Sequence, residues 1–351
     1  MGAGTRVTQR PRGVPVRTRL DRCARPGNNA FVVENIAEEM TQKITEVAVA
    51  VLIKPDGLFL LSSRPEGKPY SGYWEFPGGK IEPDESVLQA MKRELMEELN
   101  VTITKATPWF TFMMVYTHAT VRLHCWRVSA WHGEMRGMEG QQFMWQRLDA
   151  LTVAPVLPGC VPIFKALALP RIYAITNAGE MGVAAYLNRL EQALQSGLKL
   201  IQVREKNLSR DEILRFATQV VTIAHAHGAK ALVNSDIELA REIGADGVHL
   251  TARQLNECSS RPDVAVVAAS THCREEIERA AELKLDFVVL GAVKPTLTHP
   301  GEMPLGWERF AAIVEAMPLP VYALGGLSPG DLLTAVAHGA HGVAMQRGLP
   351  A

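Results

Sequence analysis

The sequence predicts an α/β/α sandwich of α+β type followed by an α/β barrel. Three observations support this. The 351 residues exceed what a single hydrophobic core commonly fills. The content of 47% hydrophobic and 21% charged residues is that of a folded globular chain. From Arg171 onward, short apolar strands begin to alternate with helix-like stretches, which is the rhythm of a parallel barrel.

The first 39 residues differ from the rest in composition. The first thirty hold seven Arg and one Asp, with several Pro and Gly, so we expect no fixed structure there. The stretch is interpreted as a disordered basic tail or as a start codon placed too early, because Met40 directly precedes the first strand. A transit peptide or a nucleic-acid arm is the alternative. We place the domains at 1–39, 40–168 and 169–351.

Net charge, the length of apolar runs and cysteine spacing indicate which kinds of partner and compartment to expect. The formal net charge of zero gives no support for a nucleic-acid polymer, and no apolar run approaches the roughly 20 residues of a membrane span. The five cysteines form no CxxC pair, which fits a reducing cytoplasm and offers neither a zinc site nor a disulfide framework. We expect a cytoplasmic protein with a small-molecule substrate, and we leave a homo-oligomer open.

The first domain shows strands at both ends of a charged helix. Apolar runs at 46–53 and 58–62 flank a Pro-Asp-Gly turn, which predicts two strands. Further strands are predicted at 109–116, 121–128 and 142–145, and a closing helix at 161–167. The order of these elements predicts a mixed sheet flanked by helices.

A glycine turn and the helix after it carry the most informative motif. The pattern consists of Gly79, Glu85, Arg93, Glu94, Leu95, Glu97 and Glu98. The last three glutamates are three and four residues apart and therefore share one helix face. Unpaired carboxylates repel each other there, and a hard divalent cation removes that repulsion through oxygen ligands. The alternative is a charged, solvated helix face.

The ends of this helix are also marked in the sequence. Asp84 or Ser86 can cap its first turn, and Glu85 is placed to pair with Arg93 across two turns. Asn100 follows the last apolar residue, and Asn tolerates the left-handed conformation that a helix C-terminus needs.

With this motif, residues 40–168 resemble the MutT-type Nudix hydrolases; Asn100 stands where the family pattern has Gly. The resemblance implies Mg²⁺-dependent hydrolysis, with Mn²⁺ as a substitute. Its implied substrate is an oxidised purine nucleoside triphosphate such as 8-oxo-dGTP, cleaved to monophosphate and pyrophosphate by water attack on the β-phosphorus, as in nucleotide-pool sanitation for DNA repair. The implied catalytic residues are Arg93, Glu94, Glu97 and Glu98. The implied metal ligands are Gly78, Glu94, Glu97, Glu98 and Glu139.

The same resemblance implies a nucleotide site lined by Arg64, Phe76, Tyr116 and Cys160. Arg64 would contact the nucleotide and Tyr116 would stack on the base; a surface Arg and a core aromatic residue are the alternatives. Cys160 stands where the family has a purine-reading Asn. A thiol cannot supply the paired donor and acceptor of an amide, which puts selectivity for oxidised guanine in question.

The second domain repeats a strand and a helix eight times. Strands are predicted at 173–176, 200–204, 231–234, 247–250, 264–270, 287–293, 321–324 and 342–345. Helical stretches separate them, for example 184–196, which Gly197 ends. Eight such repeats predict a (β/α)₈ barrel with its functional residues at the C-terminal strand ends. The chain ends just after the last strand, so we expect a barrel face covered by another domain or subunit, or a truncated barrel.

Residues 171–351 resemble thiamine phosphate synthase. The motifs that carry this resemblance are Gln202-Val203-Arg204-Glu205-Lys206, Val233-Asn234, Gly247-Val248-His249-Leu250, Pro295-Thr296-Leu297-Thr298 and Ala323-Leu324-Gly325-Gly326. The family joins a pyrimidine-methyl diphosphate to a thiazole phosphate and releases pyrophosphate. The implied binding residues are Gln202, Arg204, Lys206, Asn234, Ser270, His272, Thr296, Thr298, Gly325, Gly326 and Arg347. Arg204, Lys206 and Asn234 would hold the diphosphate, and the two glycines and Arg347 the thiazole phosphate.

Three departures from this pattern leave the activity of the barrel open. Ser235 and Gln254 stand where the family has metal-binding Asp, and His299 stands where it has Lys. Three alternatives follow: a synthase, a thiazole tautomerase that uses His272 for proton transfer, and a non-catalytic binder of a phosphate ligand. Both domains acting in thiamine metabolism, with the first cleaving thiamine-type diphosphates, is a further hypothesis.

Overall fold

The computed structural model describes Met1 and residues 44–296, 301 and 303–349. The predicted tail, Cys23, Thr298 and His299 lie outside this part of the chain. Within it, no helix is both long enough and apolar enough to cross a membrane.

The first unit, residues 44–167, contains seven strands and two helices. These are β1 (Ile44–Leu52), β2 (Phe59–Ser63), β3 (Trp74–Glu75), β4 (Gly78–Lys80), α1 (Val87–Leu99), β5 (Thr102–Val115), β6 (Thr120–His132), β7 (Phe143–Gln146) and α2 (Cys160–Leu167). The predicted elements are present, and their ends shift by up to several residues. β5 begins seven residues earlier than predicted because its polar first half pairs with β6 through register shifts.

Two sheets form the centre of this unit, and helices cover their faces. The larger sheet has the order β4-β1-β6-β5, and the smaller has the order β3-β2-β7. Alternate residues of β1 face opposite sides, as the pleat requires. Ala48, Ala50 and Leu52 pack with α1, whereas Val49 and Val51 pack with α2. The predicted α/β/α sandwich is confirmed.

The second unit alternates strands and helices. Its elements are β8 (Ile172–Ile175), α3 (Ala178–Met181), α4 (Val183–Gln195), β9 (Leu200–Val203), α5 (Arg210–Ala226), β10 (Lys230–Asn234), α6 (Ile237–Glu242), β11 (Gly247–Leu250), α7 (Ala252–Glu257), β12 (Val266–Thr271), α8 (Arg274–Glu282), β13 (Phe287–Gly291), α9 (Gly306–Val314), β14 (Val321–Leu324), a 3-10 turn (Pro329–Asp331), α10 (Leu332–Ala337) and β15 (Gly342–Met345).

The eight strands β8 to β15 close into a parallel barrel, which confirms the predicted fold. Its interior is filled by large side chains, including Tyr173, Phe287 and Tyr322. The opposite faces of the strands pack on the surrounding helices in two further clusters. Because every strand runs the same way, all the C-terminal strand ends lie at one end of the barrel.

The first unit docks on the other end of the barrel, where the strands begin. The backbone N–H of Thr111 in β5 donates to the carbonyl of Met317, just before β14, at 2.8 Å. The Arg127 guanidinium donates to the carbonyl and to Nδ1 of His341, at 3.2 and 2.9 Å. His341 immediately precedes β15. The sheet of the first unit therefore covers the N-terminal face of the barrel.

This contact buries a positive charge. Arg127 is 6% exposed, and its guanidinium lies 3.8 Å from the centre of the Trp109 ring. His341 Nδ1 also accepts from Trp109 Nε1 at 3.2 Å, so this nitrogen carries no proton and the ring is neutral. Burial, together with Arg127 and Arg171, holds the pKa of His341 well below its usual range.

Candidate active sites

The sequence fixes the ends of helix α1 locally. Ser86 is the N-cap and forms a reciprocal capping box with Gln89, which satisfies two otherwise free backbone donors. Of the two predicted caps, the structure uses Ser86. At the other end, Asn100 adopts the predicted left-handed conformation with φ of 56°. These caps set where the glutamate face begins and ends.

Arg93 organises the charged face of α1. Its Nε and Nη2 donate to both oxygens of Glu85 at 3.0 and 2.8 Å, as the spacing predicts. Its Nη1 donates to Glu94 at 2.8 Å and to Glu97 at 3.3 Å. Hydrogen bonds to Glu85 and Glu94 raise the pKa of Arg93. The guanidinium thus holds three carboxylates in fixed positions.

The remaining glutamate, Glu98, faces strand β4. The glycine turn predicted there is wrong, because Gly78 and Gly79 are strand residues that pair with Val49 and Ala48 of β1. Its Oε2 accepts the backbone N–H of Gly78 at 3.2 Å. Burial raises the pKa of Glu98 to about 8, and the nearby carboxylates of Glu94 and Glu75 add to this shift. A positive charge beside Glu98 would favour its ionised form.

The residues of this face supply the carboxylate and carbonyl oxygens that a divalent cation such as Mg²⁺ prefers. Gly79 has no Cβ, and a Cβ there would overlap the Glu94 carboxylate, so that carboxylate can lie against the strand that carries the Gly78 carbonyl. Within the described residues, no three acidic, Cys or His side chains converge closely enough to enclose a metal as they stand. Arg93 explains this, because it draws Glu94 and Glu97 toward its guanidinium.

A loop after β6 places Glu139 near the end of α1. The N–H of Met138 and the side-chain amide of Gln141 both donate to the carbonyl of Glu98, at 2.9 and 2.7 Å. Glu139 itself pairs with Lys68 at 2.7 Å. Lys68 is also close enough to Glu98 to be affected by its charge. Glu139 therefore lies beside the predicted ligand set, and its role as a ligand stays a prediction.

The residues predicted to bind the nucleotide lie in the same unit but differ in their exposure to solvent. Arg64 forms a double hydrogen bond with Glu75 at 2.6 and 2.7 Å. Burial raises the pKa of Glu75 even though Arg64 acts in the opposite direction. The half-buried ring of Tyr116 lies 5.8 Å from those of Tyr70 and His118. These rings form an aromatic cluster on which a nucleobase could stack.

Phe76 and Cys160 are buried in the core of this unit and do not line an open pocket. Phe76 packs against the rings of Phe59 and Phe164. Cys160 is 3% exposed, and its Sγ lies 3.8 Å from the carbonyl of Trp74. Burial raises the pKa of the Cys160 thiol to about 12, so the sulfur is neutral. A direct contact of either side chain with a base requires local movement.

The barrel carries a cavity of about 1020 Å³ at the C-terminal ends of its strands. The predicted barrel residues that line it are Gln202, Arg204, Lys206, Asn234, Ser270, His272, Thr296, Gly325, Gly326 and Arg347. Thr298 lies outside the described residues. The fold therefore brings ten residues from distant parts of the sequence to one site, and their binding roles stay predictions.

A buried hydrogen-bond chain leads to the floor of this cavity. Gln202 donates to the Tyr173 hydroxyl at 3.0 Å, so that hydroxyl can give its own proton to Nδ1 of His249, 3.1 Å away. Burial lowers the pKa of His249 to about 3, and the ring is neutral. Its Nε2–H then donates to Ser270 Oγ at 2.9 Å, which leaves the Ser270 O–H available to a ligand.

Two of the predicted barrel residues already have acidic partners. Arg347 pairs with Glu180 of α3. His272 Nδ1 lies 3.1 Å from Glu276, and the same carboxylate accepts the His272 backbone N–H at 2.6 Å. The His272 ring is thereby oriented at the end of β12, as the tautomerase hypothesis requires.

Comparison with known proteins identifies both units. The model of the thiamine monophosphate synthase family matches residues 172–349, which is half of the chain. The NUDIX domain model matches residues 43–166. The chain joins a Nudix domain to a barrel of the thiamine monophosphate synthase family. Both predicted resemblances are thus confirmed, together with the fold of each unit.

Individual relatives match one unit each. The putative thiamine-phosphate synthase 2 of Aquifex aeolicus is 32% identical over 185 residues, which cover 51% of this chain and 96% of that protein. The CTP pyrophosphohydrolase of Escherichia coli is 37% identical over 124 residues, which cover 35% of this chain and 91% of that protein. The solved thiamine phosphate pyrophosphorylase from Pyrococcus furiosus shows 24% identity and a TM-score of 0.43, covering 50% of this chain and 85% of its own.

Several residues of the two sites were not predicted from the sequence. In the Nudix domain, Lys68 pairs with Glu139, and Glu75 pairs with Arg64. The side-chain amide of Gln141 donates to the Glu98 carbonyl at the end of α1. Glu75 is the charged residue of the otherwise apolar stretch Trp74-Glu75-Phe76-Pro77, directly before the two glycines, and its charge there was an available signal. Lys68 and Gln141 lie in loops, and nothing local distinguishes them from surface residues.

Proposed function

We propose that the Nudix domain hydrolyses a nucleoside triphosphate to a monophosphate and pyrophosphate in the presence of Mg²⁺. The observation that supports this most is the glutamate face of α1 lying against Gly78 and Gly79 of β4, with Arg93 holding the carboxylates of Glu94 and Glu97. Glu94, Glu97, Glu98 and the Gly78 carbonyl would hold the ion. The chemistry that bound Mg²⁺ supplies there is positive charge against the phosphate oxygens.

The chain's own residues supply the rest of the mechanism. An ionised glutamate of the α1 face accepts a proton from the attacking water. Water adds to the β-phosphorus, and the bond to the oxygen of the departing monophosphate breaks. Arg93 keeps the carboxylates in place during this step, so it acts as a positioning residue. The substrate is a small molecule.

The first candidate substrate is an oxidised purine nucleotide such as 8-oxo-dGTP, as the MutT-type motif implies. A second candidate is a pyrimidine nucleotide. It is favoured by the buried thiol at Cys160, which cannot read a purine as an amide does, and by the similarity to a CTP pyrophosphohydrolase. For the barrel, a thiazole phosphate tautomerase that uses His272 is favoured over the synthase, because Ser235 and Gln254 replace the metal-binding carboxylates.

One substrate panel tests the proposals for the Nudix domain. The purified chain is given 8-oxo-dGTP, dGTP, CTP and thiamine diphosphate with Mg²⁺, and the release of pyrophosphate and phosphate is measured separately. We expect pyrophosphate from at least one nucleotide and none when Mg²⁺ is chelated. Preference for thiamine diphosphate, with release of phosphate alone, would replace the nucleotide proposal with one in thiamine metabolism.

A further inference from the structure

The barrel cavity lacks the carboxylates that its family resemblance leads one to expect. Ser235 and Gln254 occupy the two positions, and Gln254 is fully engaged by the protein. Its Nε2 donates to the Ser235 carbonyl at 2.7 Å, and its Oε1 accepts the Thr251 N–H at 3.1 Å. The residues at these positions therefore do not fit Mg²⁺.

No other carboxylate takes over this role among the described residues that line the cavity. Two are present, Glu205 and Asp236. Glu205 accepts the N–H groups of Ala178 and Gly179 at 2.8 and 3.0 Å. Asp236 caps α6 through the Leu239 N–H at 2.8 Å, and its other oxygen pairs with Arg210. Both carboxylates are used to hold the protein's own backbone and side chains.

The same cavity is well supplied with groups that bind anions. Arg204 and Lys206 line it beside β9, and the amide of Asn234 lies on the next strand. His249 is neutral and adds no positive charge to the cavity. Because its Nε2–H donates to Ser270 Oγ, the Ser270 O–H can donate to a ligand. Gly325 and Gly326 have φ of 103° and 65°, a region that favours glycine, and their backbone can approach a ligand closely.

We infer that the barrel binds a phosphate-bearing small molecule directly, without a divalent cation. Cationic and neutral donors contact the phosphate oxygens in place of a Mg²⁺ ion. A phosphomonoester suits such a site better than a diphosphate. A diphosphate carries more negative charge than Arg204 and Lys206 offset, and Arg347, the third cation of the lining, already pairs with Glu180. This site is independent of the hydrolysis proposed for the Nudix domain.

The test measures the dissociation constant of inorganic phosphate and of pyrophosphate by calorimetry, in EDTA and in excess Mg²⁺. The protein is the full chain carrying Glu97→Gln and Glu98→Gln, so that the Nudix domain contributes no Mg²⁺-dependent binding. We expect phosphate to bind with the same affinity in both conditions, within about twofold. Phosphate binding that tightens about tenfold or more with Mg²⁺, or no binding in either condition, would overturn the inference.

Two sets of variants locate the binding site. Lys206→Ala should weaken phosphate binding by about tenfold, whereas Lys230→Ala, at the opposite end of the barrel, should leave it unchanged. Restoring one carboxylate at a time, with Ser235→Asp or with Gln254→Asp, should weaken binding in EDTA and make it depend on Mg²⁺. Ser259→Asp adds the same charge on the exposed surface and serves as the control. Equal effects of Lys206→Ala and Lys230→Ala would contradict this location.

Discussion

Among the three glutamates of the α1 face, Glu97 is the most exposed to solvent. Its side chain is 55% exposed, and its contact with Arg93 spans 3.3 Å. We expect Glu97→Gln to lower Mg²⁺-dependent hydrolysis by at least about a hundredfold, the scale on which loss of one charge-stabilising group acts. The free energy of unfolding should stay the same or rise, because one charge leaves a repulsive cluster.

Steady-state kinetics and chemical denaturation of the same preparation check this prediction. Glu134→Gln is a matched control, since Glu134 is an exposed carboxylate paired with Arg136 outside the α1 face. Turnover by Glu97→Gln equal to that of the control would remove Glu97 from the proposed ligand set.

Cys160 tests which base the Nudix domain prefers. We expect Cys160→Asn to raise the preference for 8-oxo-dGTP over dGTP, because an amide supplies the donor and acceptor that a thiol lacks. The side chain is buried, so the larger amide should also cost stability, on the order of 1–3 kcal/mol. The ratio of kcat/KM for the two nucleotides is the measurement. An unchanged ratio would show that this position does not contact the base.

His249 should make stability depend on pH. An unfolded His titrates near pH 6.5, whereas in the folded barrel burial, followed by the charge of Arg204, lowers its pKa to about 3. The stability that neutral His249 contributes is therefore present above pH 6.5 and is lost as the pH falls from 6.5 toward 3. Between about pH 7.5 and pH 5, this loss amounts to about 2 kcal/mol.

The comparison of wild type with His249→Gln isolates this contribution. The stability that neutral His341 contributes is also lost as the pH falls, because its pKa is lowered too. This loss is the same in both proteins, since both contain His341. Denaturation at both pH values should give a smaller loss for the variant. Parallel stability curves for the two proteins would show that His249 has the same pKa in the folded and the unfolded chain, so that burial does not lower it.

At the scale of elements, strand β4 contains two adjacent glycines, one of which is needed for the fold and the other for the site. Gly78 has φ of 139°, and a Cβ there would overlap the backbone carbonyl oxygen of Ala48. A Cβ at Gly79 would instead overlap the Glu94 carboxylate, which is the end of a flexible side chain. The two positions therefore differ in what an added methyl group displaces.

We expect Gly78→Ala to destabilise the protein by several kcal/mol, since the backbone must shift and the conformation disfavours other residues. Gly79→Ala should cost about 1 kcal/mol or less, but it should reduce hydrolysis strongly because Glu94 moves. Thermal unfolding and kcat of the two variants give the contrast. A Gly79→Ala protein with full activity would exclude Glu94 from the mechanism.

The same element shows why parts of the site were predictable. The ends of α1 follow from Ser86, Gln89 and Asn100, whose effects are local to one turn. The ion pair of Glu85 with Arg93 follows from helix spacing. In contrast, the ion pair of Lys68 with Glu139 joins residues 71 positions apart, and only the folded chain brings them together. The position of Cys160, under the Trp74 carbonyl, has the same tertiary origin.

At the scale of the whole molecule, the two folds were predictable because most strands carry their own apolar run. The short strands β3 and β4 do not, and they were not predicted. The docking of one domain on the other was not. Arg127 lies on the apolar face of β6, in phase with Leu123 and Cys125, but the sequence does not indicate its partner, because His341 lies 214 positions away. Its side chain follows Cys125 by two residues and shares the face of the sheet that carries α2.

A double-mutant cycle tests this interface. His341→Leu should lower the free energy of unfolding by about 3 kcal/mol, because the buried Arg127 guanidinium keeps the backbone carbonyl of residue 341 but loses the Nδ1 acceptor. Arg127→Met together with His341→Leu should recover part of that loss, with a coupling energy of about 1–3 kcal/mol. Denaturation of the four proteins gives the coupling. Additive effects of the two changes would mean that this contact does not stabilise the docked state.

The docking of the Nudix domain on the N-terminal face of the barrel determines how the two sites can communicate. The barrel cavity opens at the other end, and α1 lies on the far side of the Nudix sheet from the barrel. A molecule released at one site must therefore diffuse through bulk solvent to reach the other. There it is diluted and meets competing proteins before it can rebind. The fusion fixes the two sites at one copy each per chain, but it gives neither site privileged access to the product of the other.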